Sequence, residues 1–525
     1  MGHEAWDPRV GPAEATLLRG LDAPSEFGAK VLAGLEDFEG RALRGKSAED
    51  LLLGGSAAAK APSDDLVRDV DLWLSAACVG YEEESPRPAP ADAGAATEED
   101  TRRKARFEAL SRLSERRVCQ YAFKRNDIVW ICKECQADET CVLCNDCFID
   151  SEHEGHEVYF YHAQAGGCCD CGDQYAWNPA GCCSRHGKSN SDPLRHLPPP
   201  FVAACSEVMR LCVAYVLRYA RHARLAHDIA RGLARTGEPP PSDDWRRLRT
   251  PGDDGYYCAL LEDEIHQDNQ IMMALSLTDL PGRGSIIAEC LRLLRGACGF
   301  VLLRCGSMEE VLPLAGRLAR PISDPRATTD PKLKGLVTVI TTRELMSMRL
   351  VVQAVIKFLH RSAELSDGVC RLVAREFNSE VLGKLFELDA YLPRPAKETL
   401  NALYLHLMSD APFKRLLAGA YARSFPTITA AFQRGYGLID TSIYSLSVQF
   451  LNRAMFVASL RQLKDFYRVL AAGLYRSLIF STHGAFRRIC RSADGDGSVD
   501  GSGAVAGAHA PAAPHIRRIL TEAGL

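Results

Sequence analysis

The sequence lacks a long apolar run. In its 525 residues no uninterrupted stretch reaches the about 18 apolar residues of a membrane-crossing helix, so no membrane association is expected. No apolar leader with a cleavage site opens the chain. In MGHEAWDP, Trp6 stands where a myristoylation signal wants Ser or Thr. An excess of positive charge is also missing. The net charge is −4, which gives no basic field for nucleic acid or anionic lipid. There is no internal repeat, no phosphate-cradling loop and no evident nucleophile–base pair. The Gly-Arg-Gly-Ser at 282–285 reads as a turn. Composition is otherwise ordinary for a globular chain, with 46% apolar and 25% charged residues. Its length suggests roughly three or four domains.

Cysteine is present but uneven. Of 20 cysteines, eleven lie between Cys119 and Cys183, and the other nine never form a C-x2-C pair. Clustered cysteines in a reducing compartment more often hold metal than form disulfides. The expected localisation is therefore the cytoplasm, with the nucleus as the other reducing compartment.

Composition shifts divide the chain. Residues 1–84 read as an N-terminal helical region. The Pro- and Ala-rich stretch 85–100 reads as a linker. A basic helix, TRRKARFEALSRLSERR, leads into the cysteine cluster, and together they span 101–190. A helical segment follows at 199–235. Strand-like runs at GYYCALL and LVTVITT, with helical text between them, suggest a small α+β domain over 252–345. Apolar residues at helical spacing make 346–490 a helical scaffold. The low-complexity stretch 491–515 is a second linker, and 516–525 reads as the start of a further helix in a truncated chain. The fold class expected is multidomain and mainly α.

The cluster contains Cys132-x2-Cys135, Cys144-x2-Cys147, His153-x2-His156, Cys169-x-Cys171, Cys183-x2-His186 and an isolated Cys119. Zinc accepts any tetrahedral mixture of thiolate and imidazole, so short pairs gathered from distant points suit it. Iron–sulfur ligation fits the histidines poorly, and disulfides leave the His pair unexplained. Eleven ligands exceed the eight of two tetrahedral sites and fall one short of the twelve of three. They fit three zincs if one thiolate bridges two metals. Cys141, Cys168 and Cys182 are further possible ligands, with burial as small apolar groups the alternative. Such a module is expected to have little hydrophobic core and little regular secondary structure, and to depend on metal for folding.

The words D-x-T-C-V-L-C-x-x-C-F, H-x-x-H and C-D-C-G-D-x-x-A-W, kept over the 68 residues from Cys119 to His186, resemble the UBR box of N-degron ubiquitin ligases. The resemblance implies one zinc on Cys132, Cys135, His153 and His156. It implies a second on Cys119, Cys144, Cys147 and Cys169, and a third on Cys147, Cys171, Cys183 and His186. Cys147 would be the bridge.

Four Lys or Arg against eleven Asp or Glu leave this segment at −7. That charge repels phosphate and invites cations. In the family, acids and a threonine form a pocket for a basic N-terminal residue. The matching positions are Asp138, Thr140, Asp170 and Asp173, with Phe123 and Val142 lining the pocket near the second residue. An α-amino group has a pKa of about 7.7–8.0 and is largely cationic near neutrality. Guanidinium engages carboxylates in bidentate fashion, so Arg is expected above Lys or His. The alternative for the acids is a solvated face or hydrogen bonding to the ligand histidines.

The segment 256–275, with LRLLRGACGFVLL and LVTVITTREL, resembles the ClpS-like domain of the larger N-recognins. There an Asn-Asp-Asp triplet receives an α-amino group beside a pocket for bulky side chains. Here the triplet reads Glu262-Asp263-Glu264 and is followed by His266-Gln267. The acids are kept in kind and the Asn is lost. The alternative is a structural domain that supports the zinc module. The helical text to about residue 480 also resembles the scaffold of large UBR ligases.

The family transfers ubiquitin through a RING domain near a distant C-terminus, and no second Cys/His pattern follows His186. The expectation is a substrate-recognition portion that captures proteins with basic N-termini for ubiquitination and proteasomal degradation. Its ubiquitin-conjugating enzyme would be met through a RING outside this chain. The rival is a non-catalytic scaffold whose box binds a partner without reading N-termini. A metalloenzyme needs an open zinc position, which this ligand set does not leave.

Overall fold

The computed structural model describes residues 12–22, 24–52, 62–80, 98–114, 117–121, 123–163, 167–174, 176–187, 192–236, 255–261, 268–278, 283–294, 300–319, 322–323, 332–333 and 336–433. These fall within one of two compact units, 1–477 and 478–525. The scaffold and linker expected beyond 433, and the triplet Glu262-Asp263-Glu264, lie outside the described residues.

The described chain is mostly helical. Four N-terminal helices, α1 (Pro12–Asp22), α2 (Glu26–Ala42), α3 (Ala48–Leu51) and α4 (Asp64–Cys78), precede α5 (Glu98–Ser111). Their starts follow from local chemistry. The hydroxyls of Ser25 and Ser63 accept from the N–H groups of Gly28 and Leu66, and Ser47 forms a reciprocal capping box with Asp50. Leu35, Leu74 and Phe107 are fully buried, so α2, α4 and α5 turn their apolar stripes into the common core.

Two long helices organise that core. One, α7 (Pro199–Thr236), comes after a short helix α6 (Asn145–Ile149) in the cysteine-rich module. The other, α11 (Arg343–Ala363), starts where Thr342 accepts from the Leu345 N–H. They pack on each other, and α11 also packs on α2 and α4. Residues Pro199–Ile229 form a helix long and apolar enough to cross a membrane, but 61% of its apolar window is buried inside the protein. Its hydropathy therefore reflects a central position in the core.

Between these helices lie β4 (Tyr256–Leu261), α8 (Asp268–Ser276), α9 (Arg283–Leu294), β5 (Phe300–Gly306), α10 (Met308–Leu318), the short strands β6 (Ile322–Ser323) and β7 (Lys332–Leu333), and β8 (Thr338–Thr342). β4 is the centre of an antiparallel sheet of order β5-β4-β8. Its burial is nearly continuous, which explains an apolar run without alternation. After α11 the scaffold continues with α12 (Asp367–Arg375), α13 (Ser379–Leu388), α14 (Arg394–Leu407) and α15 (Ala411–Gln433). The N-terminal helices, the α+β segment and the scaffold share one apolar core. One buried charge in it is compensated by two cations. Asp71, 6% exposed, lies between Arg361 and Lys104, the latter at 2.8 Å.

The cysteine-rich module has a separate core. Here the structure departs from the expectation of little regular structure. β1 (Ile128–Cys132) pairs antiparallel with β2 (Leu143–Cys144) and β3 (Val158–His162) in the order β2-β1-β3. Val129, Leu143 and Trp177 fill its interior together with eight cysteines. The ligand pairs dominate the sequence pattern and hide the strands that carry them.

Candidate metal centres and the acidic turn

Cys132, Cys144 and Cys147 sit on short, hydrogen-bonded elements, and the other pairs on tight turns and loops. β1 ends on Cys132. β2 ends on Cys144, and α6 (Asn145–Ile149) presents Cys147 one turn later. His153 and His156 flank a turn at Gly155, whose φ is +80°. Cys119 is drawn to the Cys169–Cys171 loop by two backbone bonds, Cys119 N–H to Cys171 C=O at 2.9 Å and Gln120 N–H to Cys169 C=O at 3.2 Å.

The side chains converge in three groups. They are Cys132, Cys135, His153 and His156; Cys119, Cys144, Cys147 and Cys169; and Cys147, Cys171, Cys183 and His186. Within each group the ligand atoms lie within 4.8 Å of one another, and Cys147 belongs to two groups. Tetrahedral zinc, with Zn–S near 2.3 Å and Zn–N near 2.0 Å, sets ligand separations of about 3.5–3.8 Å. The structure has Cys132 Sγ to His156 Nδ1 at 3.3 Å and Cys135 Sγ to His153 Nδ1 at 3.6 Å. It also has Cys147 Sγ to His186 Nδ1 at 3.5 Å and Cys119 Sγ to Cys144 Sγ at 4.0 Å. All three histidines present Nδ1. The residues present fit zinc, and they form a zinc-binding module.

The protonation chemistry points the same way. Cys147 is driven far up by the thiols of Cys119, Cys144, Cys169 and Cys171 around it. Cys144 is held far down by Cys119, Cys147 and Cys169 donating to it. Burial and the neighbouring Cys132 push Cys135 up to about 12. Without a cation these sulfurs compete for a few protons, whereas a dication lets every one become a thiolate. Backbone N–H groups already aim at two of them, Cys144 N–H at Cys169 Sγ (3.2 Å) and Cys183 N–H at Cys171 Sγ (3.3 Å). Burial also lowers the pKa of His153, which favours the neutral ligand form.

Two glycines meet a real steric demand. At Gly172, φ is +90° and a Cβ would lie 1.8 Å from the Arg117 carbonyl oxygen. At Gly181 a Cβ would lie 2.5 Å from Cys135 Sγ. Only a residue without a side chain lets the backbone pass so close.

Residues 118–186 match the profile of the family described as "Putative zinc finger in N-recognin (UBR box)". This chain carries a UBR box. It is 24% identical over 360 residues to the human E3 ubiquitin-protein ligase UBR2, covering 63% of this chain and 18% of that protein. It is 41% identical over 85 residues to E3 ubiquitin-protein ligase PRT6 of Arabidopsis thaliana, which covers 16% of this chain and 4% of that protein. Human E3 ubiquitin-protein ligase UBR1 is 27% identical over 174 residues, covering 32% of this chain and 9% of that protein. The chain thus spans less than a fifth of the length of these curated relatives.

Around the UBR box ligands, Asp170 and Val142 are locked together. The Asp170 N–H donates to the Val142 carbonyl and the Val142 N–H donates to Asp170 Oδ2, both at 2.8 Å. Asp170 is only 9% exposed. Asp173 closes the turn, its N–H bonded to the Asp170 carbonyl at 3.0 Å. Asp138 accepts from the N–H (2.8 Å) and the hydroxyl of Thr140. Phe123 and Val142 are buried, and Phe123 lies edge-on to Tyr121 at 6.1 Å.

Cys141, Cys168 and Cys182 belong to none of the three groups. Cys141 is buried, Cys182 half-buried and Cys168 exposed. Sequence reasoning missed Lys414, which approaches Asp173 Oδ2 to 3.0 Å from helix α15. It also missed Asp367, which accepts the Arg117 N–H at 2.7 Å and ties the entry of the UBR box to helix α12. Neither carries a local pattern, because each partner lies more than two hundred residues away in sequence.

Proposed function

We propose that this chain is the substrate-recognition portion of an N-degron E3 ubiquitin ligase. It captures proteins with a free, basic N-terminal residue and directs them to ubiquitination and proteasomal degradation. Asp138, Thr140, Asp170 and Asp173 receive the two cationic groups, and Phe123 and Val142 line the approach of the second residue. The observation that carries this reading is the acidic turn. Asp170 and Asp173 flank Cys171, a member of a Cys/His group, so the carboxylates stand on backbone that metal ligation would hold rigid. Charge-assisted contacts to such carboxylates are strong and directional.

The reading includes three zinc ions with Cys147 as a bridging thiolate. When bound, zinc supplies structural cross-linking, and every candidate ligand in the three groups comes from the protein. The segment 252–345 is read as a ClpS-like domain, with Glu262-Asp263-Glu264 as its amine-facing triplet. A RING domain outside this chain would engage the ubiquitin-conjugating enzyme. A reducing compartment, the cytoplasm or nucleus, suits the free thiols.

The test is calorimetry of the full chain with Arg-, Lys-, Leu- and Gly-starting peptides and an N-acetylated Arg peptide. Binding of basic N-termini that acetylation abolishes is the expected result. Equal binding of free and acetylated peptides would replace this reading with that of a partner-binding scaffold.

A further inference from the structure

We propose that Lys414 is a specificity-determining residue of the amine pocket. It holds the Asp173 carboxylate and competes there with the charged first side chain of a bound N-terminus. The inference rests on the pocket reading above and adds a residue from the helical scaffold to it.

Lys414 Nζ lies 3.0 Å from Asp173 Oδ2, and the two side chains are 10% and 17% exposed. A lysine this buried is rare unless paired. It also stands in the first turn of helix α15, where the helix dipole disfavours a cation. Asp173 is the partner that makes the position tolerable. The lysine is held from behind as well. Its N–H donates to the Asp410 carbonyl at 2.9 Å, Asp410 Oδ1 caps the Phe413 N–H at 3.0 Å, and Arg371 Nε grips Asp410 Oδ2 at 2.6 Å. Asp173 is equally fixed, because its carbonyl accepts the N–H groups of Ala176 and Trp177 at 2.9 and 2.8 Å.

A guanidinium gains most when both oxygens of one carboxylate accept its parallel N–H donors. Lys414 already engages one oxygen of Asp173, which blocks that fork. A single-donor ammonium needs one oxygen and loses less. Lys414 therefore narrows the preference for Arg over Lys that three unencumbered acids would produce.

The experiment measures Arg-, Lys- and acetyl-Arg-starting peptides against the full chain, comparing wild type with Lys414→Met, Lys414→Arg, Asp173→Asn, Asp170→Asn and the Lys414→Met/Asp173→Asn double variant. Lys414→Met should tighten Arg-peptide binding about ten-fold, and Lys-peptide binding less. Lys414→Arg should show no gain, and the gain should vanish in the Asp173→Asn background. If Lys414→Met destabilises the scaffold, Lys414→Gln removes the charge, keeps a polar end and serves in its place. Unchanged or weaker Arg binding in a folded, zinc-loaded variant would overturn the inference. So would an equal gain in the Asp173→Asn background. Binding that Asp170→Asn abolishes but Lys414 variants leave alone overturns this inference and spares the pocket. Binding indifferent to acetylation in every variant overturns both.

Discussion

Cys147 is the residue whose loss tests the metal layout most sharply. It belongs to two of the three Cys/His groups, Cys119 belongs to one, and Cys141 belongs to none. Replacing each by alanine should release zinc in the ratio two to one to none. The energetic contrast is large. A structural zinc contributes roughly 10–16 kcal/mol of apparent binding free energy, and a domain is stable by only about 5–15 kcal/mol. Losing two sites thus exceeds what the small core around Val129, Leu143 and Trp177 can replace. Losing one leaves the other two groups with their full ligand sets. Cys141→Ala removes only a small buried group, a change of about 1 kcal/mol. Zinc per chain, measured by elemental mass spectrometry on purified full chain, decides the matter. Equal zinc loss from Cys147→Ala and Cys119→Ala would refute the shared thiolate.

Two further expectations follow from separate features. Chelation should unfold the UBR box and spare the helices, because the two cores are distinct. Far-UV dichroism should keep most of its helical signal while the 118–186 amides lose protection from hydrogen exchange, and cooperative collapse of both would argue against separate cores. Burial raises the Glu376 carboxyl from its ordinary 4.5 to about 7, with Arg210 opposing and Glu207 adding to the shift. A raised folded pKa means the group is tolerated when protonated, and stability falls as pH rises from about 4.5 through about 7. Glu376→Gln should therefore stabilise the chain by about 1–3 kcal/mol at pH 8 and leave it unchanged at pH 4, read from urea midpoints.

The Cys/His groups were legible in the sequence because they are assembled from short pairs whose spacing survives in one dimension. The count of eleven candidates led to the expectation of a shared residue, and Cys147 stands in two groups of the structure. Helix positions were legible where amphipathic text met a cap, as at Ser63 before α4 and Thr342 before α11. Partners were not legible. The apolar faces of α2 and α4 announce burial, but nothing in their text says that α11 covers them. Lys414 was opaque for the same reason. A lysine in a helical first turn reads as a surface residue until a carboxylate from a distant loop is laid against it.

The aromatic stacking inside the UBR box has an optical consequence. Trp130 stacks on Phe148 at 3.9 Å, Phe148 stacks on His153 at 5.0 Å, and Trp177 meets His153 edge-on while its indole N–H bonds to the Gly181 carbonyl. Two of the five tryptophans in the chain therefore sit one or two rings from a candidate metal ligand. Their emission is a built-in gauge of the module's state, with no dye or tag to disturb the surface it reports on.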